Sequence, residues 1–75
     1  MAIAYVLINY ELGNEEPIIK HLKTIKTVKE IQGVMGAYDI IVKVEAENHS
    51  ELRNTIARNI RMMPKILSTL TLTIV

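Results

Sequence analysis

Cysteine is absent from the 75 residues, which excludes disulfide staples, thiolate zinc sites and thiol redox chemistry together. Phenylalanine and tryptophan are absent as well, leaving Tyr5, Tyr10 and Tyr38 as the only aromatic side chains. No block of like charge occurs, and nine Lys/Arg against eight Asp/Glu give a formal net charge of +1. That balance lacks the electrostatic footprint of a nucleic-acid-binding surface. No apolar run approaches the roughly 20 residues of a membrane-spanning helix. Met1 leads straight into alternating apolar sequence, without the basic region and cleavage site of a secretory leader. The expectation is a soluble cytoplasmic protein with no membrane partner and no direct nucleic-acid partner.

What is present is aliphatic: 49% of the residues are hydrophobic, mostly Ile, Leu and Val, a packed-core composition rather than a disordered one. The length predicts a single domain over residues 1–75, with no room for a second core. A domain this short buries only about 60–65% of the surface exposed by its unfolded chain. With disulfides excluded, self-association is the remaining source of extra stability.

Ala2 to Tyr10 is rich in β-branched and aromatic residues and is followed by Gly13-Asn14, so it reads as a strand. Asn14 is placed to cap a helix, Glu15 and Glu16 suit its positive end, and Pro17 is tolerated in a first turn. Ile18, Leu22 and Ile25, widened by Ile19, form its apolar stripe, with Lys20, Lys23 and Lys26 opposite. Val28 to Val34 and Tyr38 to Glu45 are β-prone runs joined by Met35-Gly36-Ala37, which predicts an antiparallel hairpin. Asn48 or Ser50 starts a second helix with the stripe Leu52, Ile56, Ile60, Met63, and Pro64 ends it. Ile66 to Val75 is a last strand containing the polar row Thr69, Thr71, Thr73. Right-handed crossovers return both helices to the same side of the sheet. The predicted fold is therefore α+β, a ferredoxin-like β-α-β-β-α-β sandwich: a four-stranded antiparallel sheet with two helices on one face.

Alternation splits each strand into two sets of side chains. In the third strand Tyr38, Ile40, Val42 and Val44 should meet the helices, leaving Asp39, Ile41, Lys43 and Glu45 outside. In the first strand both sets are apolar: Ala2, Ala4, Val6, Ile8, Tyr10 and Ile3, Tyr5, Leu7, Asn9. A sheet packed on one side only has no use for the second set. Leaving Ile3, Tyr5, Leu7, Ile41 and Leu67 in water forfeits on the order of 10 kcal/mol for the face. Burial against a twofold partner outweighs the several kcal/mol lost in association. Sheet-to-sheet homodimers through those five residues are the expectation.

The groups able to do chemistry are sparse. His21 and His49 lack any metal-ligand spacing and read as solvated, so no metal or cofactor is expected. Arg58, Arg61 and Lys65 could hold a phosphate together, but cations at the end of a helix are accounted for by its dipole. Met62-Met63 reads as gap-filling at the core edge. No serine, lysine or carboxylate pair has a base or orienting partner at recognisable spacing, which argues against an enzyme. The segment Gly33 to Asp39 has two readings. In one, Gly36 makes a turn and Asp39 bonds free backbone N–H groups at the hairpin mouth. In the other, N–H groups around Gly36 bind a carboxylate while Asp39 attracts an ammonium, a pair suited to a free amino acid. The residues alone leave both open.

Val28, Gly36-Ala37-Tyr38-Asp39, the apolar run Ile40 to Val44, Leu52 and Thr69-Leu70-Thr71 occur here in the order and spacing that resemble the RAM domain of Lrp/AsnC-type transcription regulators. The similarity extends over essentially the whole chain and rests on the joint order of short motifs. It implies a sensing domain that dimerises through its sheets and assembles into rings of dimers, octamers or decamers. Small effectors, typically amino acids, would sit between dimers near the hairpin, at Met35, Gly36, Ala37, Tyr38 and Asp39, completed by Thr69 and Thr71 or by a neighbouring dimer. The helix-turn-helix that precedes the domain in that family has no counterpart in this sequence. The expectation is thus a stand-alone sensing domain that buffers or senses an amino acid, or joins full-length regulators of the family. An ACT-like regulatory subunit of a metabolic enzyme shares the topology and is the alternative. An acylphosphatase-type enzyme ranks last, since it needs an arginine in its first loop and Glu11-Leu12-Gly13-Asn14-Glu15 has none.

Overall fold

The computed structural model describes residues 1–75. Its elements run β1 (Ala2–Tyr10), α1 (Glu15–Lys23), β2 (Val28–Gly33), β3 (Ile40–Ala46), α2 (His49–Asn54), a π-helical continuation of α2 (Thr55–Ile60) and β4 (Ile66–Thr73). The strands form one antiparallel sheet in the order β2-β3-β1-β4. This is the ferredoxin-like α+β fold expected from the alternation of strand and helix patterns. β1 is a central strand, paired with β3 on one side and β4 on the other. No helix is long and apolar enough to cross a membrane.

The core is the helix-facing side of the sheet closed by the two helices. Ala2, Ala4, Val6 and Ile8 of β1 and Ile40, Val42, Val44 and Ala46 of β3 are buried against Ile18 and Leu22 of α1 and Leu52, Ile56, Ile60 and Met63 of the second helix and the turn after it. Leu52, Ile56 and Ile60 recur every fourth residue, whereas a regular α-helix overshoots a full turn by roughly 40° at each such step. The wider turn over Thr55–Ile60, where the Arg61 amide donates to the Ile56 carbonyl at 2.9 Å, lets all three stay on the core side. Met62 departs from its expected place: it is 76% exposed while Met63 alone fills the core edge.

Other departures have local causes. Asn48 caps the second helix, its Oδ1 accepting from the Glu51 amide at 2.8 Å, but Asn14 does not cap the first with its side chain. Its amide group instead turns back to donate to the Glu11 and Leu12 carbonyls, each at 3.3 Å, which closes the turn that Gly13 makes at φ 86°. Tyr38 lies outside β3, which begins at Ile40, and it is only half-buried. The connection is Val34 to Asp39 rather than three residues, because the Val34 amide closes it by donating to the Asp39 carbonyl at 3.0 Å. Register shifts interrupt the sheet twice, between Val28 and Glu30 in β2 and opposite Asn9/Tyr10 in β4.

Gly36 sits at φ 130°, a region that L side chains avoid, while Gly33 lies in β2; an added Cβ meets nothing within 4 Å at either position. Backbone strain alone should then separate them. Gly36→Ala is expected to lower stability by about 1–2 kcal/mol. Gly33→Ala should leave it unchanged or raise it by about 0.5–1 kcal/mol through the unfolded chain. Urea denaturation of the two variants beside the parent measures both, and equal losses would mean that the hairpin conformation is not what Gly36 supports.

Candidate functional site

Asp39 extends the β1–β3 ladder past its last strand pair, Ile8 opposite Ile40. Its amide donates to the Ile8 carbonyl at 3.0 Å, and its Oδ2 accepts from the Tyr10 amide at 3.1 Å. The carboxylate thus stands in for the backbone carbonyl that would have continued the sheet. Asn9 fastens the same corner from the open face, its Nδ2 donating to the Ala37 carbonyl at 2.9 Å and to Ser68 Oγ at 3.3 Å. What these bonds leave free is the tip: Gly36 at positive φ and Met35 fully exposed. The second oxygen of Asp39, Oδ1, makes no hydrogen bond within the chain. The two readings of Asp39 are therefore compatible, since one oxygen serves the hairpin and the other is unengaged on an exposed residue.

Beneath this corner the Tyr10 hydroxyl is held above the ordinary tyrosine range, first by partial burial, then by the negative charge of Glu15 and, more weakly, of Asp39. The surroundings of the hairpin mouth are acidic, which suits a cationic group and repels an anionic one. A raised folded-state value means that the neutral phenol is favoured in the folded protein. The stability it carries is complete below the unfolded value of 10.0 and is lost as pH rises through the folded value. Urea midpoints for the parent should fall more steeply above about pH 10 than those for Tyr10→Phe. Parallel curves would show that Tyr10 does not contribute.

Thr69 and Thr71 lie elsewhere. They pair with Ile8 and Val6 of β1 and so belong to the helix-facing side, with β1 between them and Asp39. Within one chain the structure does not bring them to the hairpin tip; Thr69 Oγ1 instead accepts from Arg61 Nε at 3.3 Å. The suspected cationic cluster is also dispersed: Lys65 pairs with Glu11 at 3.6 Å, Arg61 reaches Thr69, and Arg58 lines a polar groove with Asn48 and Glu51. No group of three or more His, Cys, Asp or Glu side chains is placed to hold a metal ion.

The open face of the sheet divides in two. Ile41, Leu7 and Leu70 form one row across β3, β1 and β4, and Tyr5 with Leu72 continues it. Towards β2 the face is charged, Lys43 standing 3.5 Å from Glu30 and 4.0 Å from Glu45. Ile3, Tyr5, Leu7 and Ile41 are half-buried there, as their alternation predicts. Leu67 is the exception: the bulge opposite Asn9/Tyr10 leaves it without a partner in β1 and 65% exposed. Leu70 and Leu72 take the place assigned to it, at 43% and 50% exposed. The signal was available, since Leu67 shares its parity with Thr69 and Thr71 while Leu70 and Leu72 do not.

A family model described as the Lrp/AsnC ligand binding domain matches residues 3–75. The chain belongs to the Lrp/AsnC ligand-binding domain family. Among solved structures it is similar to FFRP-DM1, with 36% identity, full coverage of both chains and a TM-score of 0.95. The hypothetical protein PHS023 from Pyrococcus horikoshii is 36% identical over all of this chain and 90% of its own, with a TM-score of 0.92. The transcriptional regulator NMB0573 from Neisseria meningitidis, solved as an L-Met complex, shares the fold at a TM-score of 0.89 and 6% identity, over 99% of this chain and 49% of its own. No curated protein matches the chain. The Lrp/AsnC domain is a regulatory, effector-binding one, and this chain carries that domain over almost its entire length.

Proposed function

We propose that this Lrp/AsnC domain binds a free amino acid at the Met35 to Asp39 hairpin and does so as a self-assembling, non-enzymatic regulatory module of the cytoplasm. The observation that carries the reading is the divided role of Asp39, with Oδ2 on the Tyr10 amide and Oδ1 unengaged. An ammonium bound at Oδ1 would share the hairpin with Gly36, whose surroundings are open and whose amide offers a donor to the adjoining carboxylate. The acidity around Tyr10 acts in the same direction. That a regulator of this fold was solved with L-Met is in keeping with an amino-acid effector. Membership of the family favours this reading over a regulatory subunit of a metabolic enzyme. Thr69 and Thr71, separated from the hairpin by β1, would complete such a site only from a neighbouring dimer.

The dimer itself would form through the open face. Leu70 and Leu72 stand furthest out, while Ile3, Tyr5, Leu7 and Ile41 are already partly covered by their sheet neighbours. Each therefore gains a fraction of the roughly 1.5–3 kcal/mol that full burial of a large apolar side chain gives. A second copy related by a twofold axis through the Leu7 row would cover all six and leave the Glu30–Lys43–Glu45 side at the rim. Rings of such dimers, octamers or decamers, with or without full-length regulators of the family, follow from the likeness to that family.

Leu7→Lys would bury a charge in the proposed interface, and sedimentation should show monomer or unfolded chain. A well-folded dimer would remove the argument for the face. Asp39→Asn retains an oxygen for the Tyr10 amide but loses the charge. Once a thermal-shift screen of the common amino acids yields a ligand, calorimetry should show binding weakened about ten- to a hundredfold, equivalent to roughly 1.5–3 kcal/mol. Undiminished affinity in a variant of unchanged assembly state would confine Asp39 to holding the hairpin.

A further inference from the structure

The second helix runs antiparallel to β4, and the edge between them carries a set of donors without acidic partners. A groove of about 390 Å³ lies there, with His49, Arg53 and Arg61 on the helix side and Thr71 and Thr73 on the strand side. The spacing follows from the two periods: positions 49, 53, 57 and 61 recur every fourth residue along one side of the helix, and 69, 71 and 73 every second along one side of the strand. Arg61 opposite Thr69, joined by a 3.3 Å hydrogen bond, fixes the alignment of the two rows. The floor is apolar, made by Leu52, Ile56 and Ala57.

Three observations give this groove a sign. No Asp or Glu lines it. The chain's ion pairs are Lys43 with Glu30 and Glu45, and Lys65 with Glu11, so neither Arg53 nor Arg61 has an acidic partner. The Thr71 hydroxyl is shut off from solvent without any hydrogen-bond partner, a state that costs about 1–3 kcal/mol unless a ligand or water relieves it. β4 is moreover an edge strand, unpaired on its outer side, so alternate backbone amides there are also free to donate.

We infer that the α2–β4 groove is a binding site for a small oxyanion, a carboxylate or phosphate head held by Arg53 and Arg61 with Thr71 as a further donor, on an apolar floor that accepts a short aliphatic tail. A guanidinium presents its donors in a planar fork matched to such heads, and a staggered rotation about the Cα–Cβ bond of Thr71 is enough to turn its hydroxyl. The volume suits a small molecule. Within one chain the site lies across β1 from the hairpin; it shares Thr71 with the amino-acid site only where a neighbouring dimer is brought up to it, and inorganic phosphate, which has no ammonium, probes the groove apart from that site.

The test is a ¹H–¹⁵N NMR titration of the full chain with inorganic phosphate and, separately, with butyrate, at ionic strength held constant with sodium chloride. Saturating shifts should centre on the Thr71 and Thr73 amides and the Arg53 side chain, with a Kd below about 10 mM for one anion or both. Preference between them distinguishes a phosphate site from a carboxylate site with a tail pocket. Arg53→Gln, at an exposed position that folding tolerates, should weaken binding about tenfold or more. Thr71→Val should weaken it too while raising the thermal midpoint, because the isosteric change deletes an unpartnered buried hydroxyl. Shifts that grow linearly and spread equally to Lys20 and Lys23 of α1, or a Kd unmoved by Arg53→Gln, would overturn the proposal. So would a Thr71→Val variant that binds as tightly as the parent and melts at the same temperature.

Discussion

A four-stranded sheet with both helices on one side has one covered face and one open face, and the rest of this protein is arranged around that imbalance. The covered face is closed along its length: Ala2, Ala4, Val6 and Ile8 of β1 are all buried. The other set on the same strand, Ile3, Tyr5, Leu7 and Asn9, changes from apolar to polar at its last member. That change occurs where the open face meets the hairpin, and Asn9 is the residue that bonds Ala37 and Ser68 there. One strand thus supplies the core, an apolar outer surface and the fastening of the hairpin corner, in nine residues.

The hairpin corner shows how one side chain can make a structural bond and still have a group to spare. A sheet that ended at Ile8 and Ile40 would leave the Tyr10 amide unpaired on that side; Asp39 satisfies it with one carboxylate oxygen. Because a carboxylate has two oxygens, the structural duty does not exhaust it. Burial first, and then the negative charge of Glu15 at the start of α1, keeps the Tyr10 hydroxyl neutral, so α1 adds to the acidity of the corner. The acidic hairpin and the cationic α2–β4 groove therefore stand on opposite sides of β1, which gives a small molecule nearly neutral in total charge a strongly uneven surface.

Much of the fold was legible because alternation and the fourfold helical spacing are properties of the chain itself. Ile18, Leu22, Leu52, Ile56, Ile60 and Met63 all reach the core from the positions their spacing indicated, and β1 spans Ala2–Tyr10 as read. What could not be read depends on bonds between distant residues. Tyr38 looks like strand by composition, but the pairing of Val34 with Asp39 starts β3 two residues later. For Leu67 the parity shared with Thr69 and Thr71 already argued against the open face, but the bulge that leaves it unpaired beside β1 could not be read. At the hairpin, the bond from a free backbone N–H to Asp39 was legible and the separation of Thr69 and Thr71 was not, because their side of the sheet is set by which residues of β1 they face. The groove beside β4 was hidden for the same reason: His49, Arg53 and Arg61 gain meaning only when the last strand is laid alongside them.

The two register shifts described above lie in β2 and β4, the outermost strands of the sheet. An outermost strand presents a row of free amides and carbonyls that invites another sheet to join side by side, and repeated joining of that kind has no natural end. A kink in each such strand spoils the straight template that joining needs. β2 adds the charged pair Lys29 and Glu30 at its kink, and β4 begins beside the irregularity at Leu67. Edge-to-edge growth into fibres is thereby disfavoured at both margins, whatever the open face of the sheet is used for.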